Sequence, residues 1–315
     1  MHKHFHGYHA HGHHSHSHGD HHQGNGSSRR IAWAFFLNLG FTVIEFIGGL
    51  LTNSTAIMAD AVHDLGDSLS IGLSWVLAKF SGREASGSFT YGYRRFSLLG
   101  ALINGLVLVA GSLWVLAEAL PRLVDPQMPV VEGMLGLAVF GVTVNGYAAY
   151  KLSEGKTLNE RVLNWHLLED VLGWLAVLVV SVVMLFVDWP ILDPLLSIGF
   201  TLFILINVAR NFWETVRLFL QATPSPETRA EIERALEALP GVCGIHHLHF
   251  WSLDGEHHVL TAHLSVSGLR TADEVRLLKE RVSVALADYD LAHTTVELEL
   301  EDEQCRDVSG ARVPH

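Results

Sequence analysis

Six apolar stretches follow one another along the first two-thirds of the chain, at residues 31–51, 55–80, 96–120, 130–150, 158–187 and 191–220. Each approaches or exceeds the ~20 residues needed to cross a hydrocarbon core. The pattern predicts six membrane-spanning helices. After Pro224-Ser225-Pro226 it changes. Residues 227–239 read as an amphipathic helix with Ile232, Leu236 and Leu239 on one side, ended by Pro240-Gly241. Residues 245–253 and 257–266 read as strands joined at Asp254-Gly255, a hairpin signal. Residues 272–287 form a second amphipathic pattern. Residues 294–300 set Val296, Leu298 and Leu300 against Thr295, Glu297 and Glu299, the period of a strand. The order α-β-β-α-β predicts a small α+β, ferredoxin-like domain with helices on one face of a sheet. It follows an all-α six-helix membrane domain. About 80 residues bury only a modest core, so dimerisation would help stabilise this domain.

The apolar stretches are interrupted in a regular way. His63 precedes Asp67 in the second, and His166 precedes Asp170 in the fifth. A spacing of four puts each pair on one helix face, one turn apart. The two spans run in opposite directions, so the pairs can meet at similar depth. Two imidazoles and two carboxylates make four ligands, the number of a tetrahedral divalent-metal site. Such a donor set suits Zn2+, with Cd2+, Co2+ and Ni2+ as competitors; an oxygen-only site would favour Mn2+ or Mg2+. The alternative is that each pair is a local hydrogen-bonded couple used in packing. Repetition on two spans, and the cost of burying ionisable groups in a bilayer, favour the metal site. Asp60 lies one turn before Asp64, which gives the second span a further polar stripe. Asp64 and Glu169 could line a water path, support the ligands or carry protons. Asn38, Asn104 and Asn145 read as interhelical hydrogen-bonding groups; Glu45 fits either role.

Charge adds orientation. Arg29, Arg30, Lys79, Arg83, Arg94, Arg95, Lys151, Lys156, Arg161, Arg210 and Arg217 fall on one side of the six spans, and only Arg122 on the other. This positive-inside bias puts both termini in the cytoplasm. Of the net charge of −12, residues 223–315 carry −9. An acidic chain of this kind is not a nucleic-acid binder. Residues 1–28 hold eleven of the 21 histidines, interleaved with Gly and Ser, and form no apolar run. They read as a disordered tail that captures metal; an expression tag would be an unbroken His run. Cys243 and Cys305 are too few for a disulfide framework and fall in the cytoplasmic part. The expected organisation is a tail at 1–28, a transport domain at 29–221, a metal-binding and dimerisation domain at 222–302, and a second tail at 303–315. The protein is expected to be multi-pass, in the cell (inner or plasma) membrane.

Several motifs together resemble the cation diffusion facilitator family of divalent-metal transporters over roughly residues 30–300. They are Ala59-Asp60-Ala61-Val62-His63 with Asp67, His166 with Asp170, Tyr91-Gly92-Tyr93-Arg94-Arg95, Asp193-Pro194, and Ile245-His246-His247-Leu248-His249-Phe250-Trp251. The resemblance implies a homodimeric antiporter that exports Zn2+ in exchange for protons, by alternating access around the site between spans 2 and 5. It also implies a metallochaperone-like cytoplasmic domain that binds regulatory zinc; no organic cofactor is expected. His246 and His263 match family ligand positions. Asp273, Glu297 and Glu299 stand near others with different residue types, and His247, His249 and Cys305 are alternative donors. A two-Asp version of span 2 exists in the family, and His63 stands where that version has its first Asp. Tyr91 occupies the place of a His that in some members holds a further metal, so that site is expected to be absent or weakened.

Two other classes fit the sequence less well. An intramembrane metalloenzyme would keep an open coordination position and a general base, whereas the chain offers four ligands and no HExxH. A membrane-anchored metal sensor would suit the His-rich tail, but six spans with buried ligands exceed what anchoring needs.

Overall fold

The computed structural model describes residues 26–81, 85–152, 158–301, 303 and 305, and within them leaves aside the side chains of 26–34, 74, 78, 79, 81, 151, 152 and 158–166. The His-rich segment up to residue 25, the His166 side chain and most of the 303–315 tail therefore lie outside the described residues. Six long helices come first: α1 (Gly26–Thr52), α2 (Thr55–Ser81), α3 (Phe96–Ala119), α4 (Val131–Leu152), α5 (Leu158–Phe186) and α6 (Leu192–Phe219). Among the described residues, five of them, all but α2, are long and apolar enough to cross a membrane. Asp60, His63, Asp64 and Asp67 are what lower the apolarity of α2. The chain is a membrane protein with a helical transmembrane domain and a small mixed-sheet domain.

The helix bundle has a close-packed, largely apolar interior and an apolar exterior. Ala56, Ile57, Met134, Ala138, Trp174 and Val177 form one buried cluster, and Ala59, Val62 and Val115 another. Leu51, Leu106, Leu172 and Phe203 are exposed, as side chains facing lipid would be. Small residues let helices approach. At Gly141 on α4, a Cβ would fall 2.2 Å from the Trp174 ring of α5, so only glycine admits the indole there.

Polar contacts tie the helix ends. Asn53, at φ 55°, closes α1 in the left-handed conformation, and Arg122 Nη1 donates to its carbonyl at 2.8 Å. Asp193 at the start of α6 is 1% exposed. Its carboxylate accepts from Ser54 Oγ (2.6 Å), Thr55 N (2.7 Å), Thr55 Oγ1 (2.8 Å) and Ala56 N (3.2 Å). A residue of α6 thus caps α2, satisfying amide groups that a helix leaves unpaired at its N-terminus. At the other end, Arg95 Nη2 donates to the Phe219 carbonyl at 2.7 Å, and Arg94 Nη1 lies 4.0 Å from Asp254 Oδ2. These contacts join the α2–α3 link to α6 and to the small domain.

The small domain runs α7 (Pro226–Glu237), β1 (Val242–Ser252), β2 (His258–Val266), α8 (Ala272–Ala285), β3 (Leu291–Glu299). Ser225 caps α7, with Pro226 in its first turn. Thr271 and Glu274 form a capping box on α8; its hydrogen bonds to the Arg270 and Thr271 amides hold the Glu274 carboxyl below its ordinary range. The sheet order is β1-β2-β3, with β1 antiparallel and β3 parallel to β2. Ile232, Leu236, Phe250, Leu260, Leu264, Leu278 and Val282 fill the core beneath it. β3 begins three residues before the alternation seen in the sequence. His293, Thr294 and Thr295 are exposed on this edge strand, so burial imposes no alternation on them.

Candidate metal centre

His63 and Asp67 lie on one face of α2, with His63 Nε2 3.7 Å from Asp67 Oδ2. Their side chains are 23% and 27% exposed, which leaves them reachable by an ion. The His63 ring meets Phe200 of α6 edge-on, with centroids 6.2 Å apart. Asp170 is buried on α5, within electrostatic reach of Asp60 and Asp64 on α2 and of Glu45 on α1. His166 sits on α5 one turn before Asp170; its side chain is outside the described residues. Three of the four expected ligands are thus described, and helices α2 and α5 bring them to one region. Asn38 donates to Ser68 Oγ (2.9 Å) and Asn104 to Ser70 Oγ (2.7 Å), both interhelical bonds. Glu45 is 1% exposed on α1.

A second constellation sits on the sheet. His246 of β1 is directly opposite His263 of β2, which in turn is opposite Glu297 of β3. His263 Nδ1 lies 2.9 Å from Glu299 Oε1, and His246 Nε2 2.9 Å from Glu299 Oε2. Cys305 Sγ is 3.5 Å from His263 Nδ1. Donor atoms of His246, His263, Glu299 and Cys305 all fall within 4.8 Å of one another. Two nitrogens, an oxygen and a sulfur at that spacing fit a tetrahedral zinc site. A β-bulge between His246 and His249, with His247 at φ 50°, turns the strand here. The bulge lays the His247 ring against those of His246 and His263, with centroids 5.3 and 5.1 Å away. Burial would raise the Glu299 carboxyl, but hydrogen bonds from His263, Cys305 and His246 outweigh it and hold the group below its ordinary range.

Other expected donors stand further out. Glu297 Oε2 is 3.8 Å from His263 Nε2, at the rim of the cluster. Asp273 is exposed at the start of α8 and paired with Arg276, and it is not one of the grouped donors. Cys305, one of the alternative donors expected from the sequence, lies beyond the last strand, where residue type and no periodic pattern marks it. Tyr91 packs edge-on against His293 at 5.6 Å and so contacts the small domain.

Residues 31–220 match the family model for the cation efflux transmembrane domain, and residues 224–301 that for the cation efflux protein, cytoplasmic domain. The chain belongs to the cation diffusion facilitator family. Members of this family are cation-efflux transporters, not enzymes, and so is this chain. It is 32% identical over 288 residues to a zinc transporter, ZitB, of Pectobacterium atrosepticum, covering 89% of each chain. It is 31% identical over 277 residues to the metal cation efflux system protein CzcD of Cupriavidus metallidurans, covering 87% of each. A cadmium, cobalt and zinc/H(+)-K(+) antiporter of Bacillus velezensis is 29% identical over 280 residues, 88% of this chain and 90% of that one. For a facilitator, the two constellations have distinct places: one within the transmembrane domain, the other in the cytoplasmic domain.

Proposed function

We propose that this facilitator exports Zn2+ from the cytoplasm in exchange for protons, with Cd2+, Co2+ and Ni2+ as further substrates. His63, Asp67, His166 and Asp170 bind the ion, and α2 serves as the sixth membrane span, giving both termini a cytoplasmic position. The observation that carries this reading is the His63–Asp67 pair on α2 in the region of Asp170 on α5. Ionisable side chains placed on two helices of a transmembrane domain have no packing purpose that apolar side chains would not serve better. Relatives whose names record zinc, cadmium and cobalt transport support the substrate class.

Exchange follows from the ligands. Imidazole binds metal only when neutral and carboxylate only when ionised. An ordinary imidazole titrates near pH ~6.5. When the site faces a more acidic side, protons displace the ion from the histidines; when it faces the cytoplasm again, they leave and Zn2+ returns. In proteoliposomes, imposed pH gradients are expected to drive zinc movement in proportion, with proton flux of opposite direction. Zinc flux indifferent to the gradient would sink the antiport.

In the cytoplasmic domain, His246, His263, Glu299 and Cys305 hold a regulatory zinc ion, with Glu297 at the rim. The domain also makes a homodimer, in keeping with the dimer name of its family model. Glu299→Ala is expected to weaken zinc binding to this domain by at least about tenfold, the lower bound for a change in a ligand's surroundings. Zinc titration of the full chain, with and without the substitution, checks it; unchanged stoichiometry and affinity would assign the ion elsewhere.

A further inference from the structure

Helices α4 and α5 follow one another along the chain and pack as an antiparallel pair. Buried positions recur on each at spacings of three and four: Ala138, Gly141 and Asn145 on α4, and Asp170, Trp174 and Val177 on α5. Ala138, Trp174 and Val177 share one buried cluster, and Gly141 lies against the Trp174 ring. Asn145 is one turn beyond Gly141, toward the end where α4 stops. Asp170 is one turn from Trp174, toward the end where α5 begins. In an antiparallel pair these steps run the same way, each about 6 Å along the axis. Asn145 and Asp170 therefore stand at one level of the seam. Both residues are 9% exposed. Asn145 Nδ2 has no hydrogen-bond partner among the described residues, although an asparagine at this depth was expected to bond between helices. A buried amide donor without an acceptor is costly, and a leucine would pack there better.

We propose that Asn145 is a positioning residue of the metal centre and sets its preference among cations. Its amide donates to one carboxylate oxygen of Asp170 while the other oxygen holds the ion. The inference rests on the reading of His63, Asp67, His166 and Asp170 as the ligands. A carboxylate with both oxygens free can bind an ion through both, as larger cations of flexible coordination accept. A carboxylate held by a donor binds through one oxygen only. That keeps the centre at four ligands, the number that suits Zn2+, and disfavours the larger Cd2+. The terminal bond of an asparagine side chain turns over a broad range, so the amide follows the carboxylate as the ion enters and leaves.

The test uses the full chain in two measurements. One is flux of Zn2+ and of Cd2+ in proteoliposomes. The other is the visible spectrum of bound Co2+ in detergent, which is strong for four ligands and weak for five or six. The difference from the Asp67→Ala spectrum isolates the membrane centre from the histidine-rich segment and the cytoplasmic cluster. Asn145→Leu keeps the bulk and removes the donor. It is expected to raise the KM for Zn2+ at least about tenfold, to affect Cd2+ less, and to weaken the Co2+ difference spectrum. Asn145→Ala removes the same donor in the best helix former and is expected to shift both readouts the same way. Val177→Ala opens space on the same seam away from Asp170; it is expected to lower the unfolding temperature and leave the Cd2+ to Zn2+ ratio alone. An unchanged ratio in both Asn145 variants would overturn the proposal, whether the two fluxes fall together or not at all. So would an equal shift of the ratio by Val177→Ala, which would make packing the cause. A Co2+ spectrum that Asp67→Ala leaves unchanged would instead show the centre itself to be misassigned, and the role of Asn145 would fall with it.

Discussion

Asp67→Ala and Asp170→Ala are each expected to abolish zinc flux in sealed vesicles. Losing even a hydrogen-bond partner of a metal ligand costs roughly 10–100-fold, so losing one of the four proposed ligands is expected to cost more than about a hundredfold. The two residues are also expected to fail for different reasons. The Asp67 side chain is 27% exposed, so truncation there removes a donor and leaves the packing alone. Asp170 is buried on α5, and its loss also opens space near Asp60 and Asp64. Flux measured with a zinc-sensitive dye, alongside thermal unfolding of the same preparations, separates the two effects. Asp67→Ala is expected to keep the parent's unfolding temperature with no flux. Normal uptake by either variant would refute the ligand assignment.

Asp193→Ala is the substitution with the largest expected cost to the fold. The carboxylate accepts four hydrogen bonds from Ser54, Thr55 and Ala56 in a buried position. Removing it strands donors that each cost about 1–3 kcal/mol when left unpaired, so a loss of roughly 3 kcal/mol or more is expected. The damage extends to transport. α2 carries His63 and Asp67, and its start is held by α6, so the ligands lose their anchor. Asp193→Asn retains an acceptor and is expected to fall between the two. Unfolding followed by tryptophan fluorescence checks the order; an unfolding temperature for Asp193→Ala equal to the parent's would show that water or neighbouring groups replace the cap.

Much of this was legible in the chain itself. Helix limits follow from apolar runs and their breaks, because backbone groups in a bilayer must bond within their own helix. The ends of α2, α5 and α6 fall within a residue of the positions expected from sequence. The residues of the proposed metal centre stand out in the sequence for a related reason: charge at bilayer depth is expensive, so His63, Asp67, His166 and Asp170 differ from their surroundings. The start of β3 was not, because an exposed edge strand carries no alternation. Nor was the role of Asp193 as the cap of α2, since its partners are some 140 residues away in the chain.

The sequence by itself determined the long apolar helices, the order of elements in the small domain and the residue types that can bind metal, since each depends on local periodicity or on the cost of a group in its immediate medium. Tertiary structure alone decided which donors share a place. It put Glu299 and Cys305 with His246 and His263, left Asp273 outside on α8, and buried Asp60 where α2 meets α5 and α6. Those outcomes depend on strand register, on a bulge at His247 and on how closely glycines let helices approach. Such distances are set by packing between distant segments, which no local pattern records.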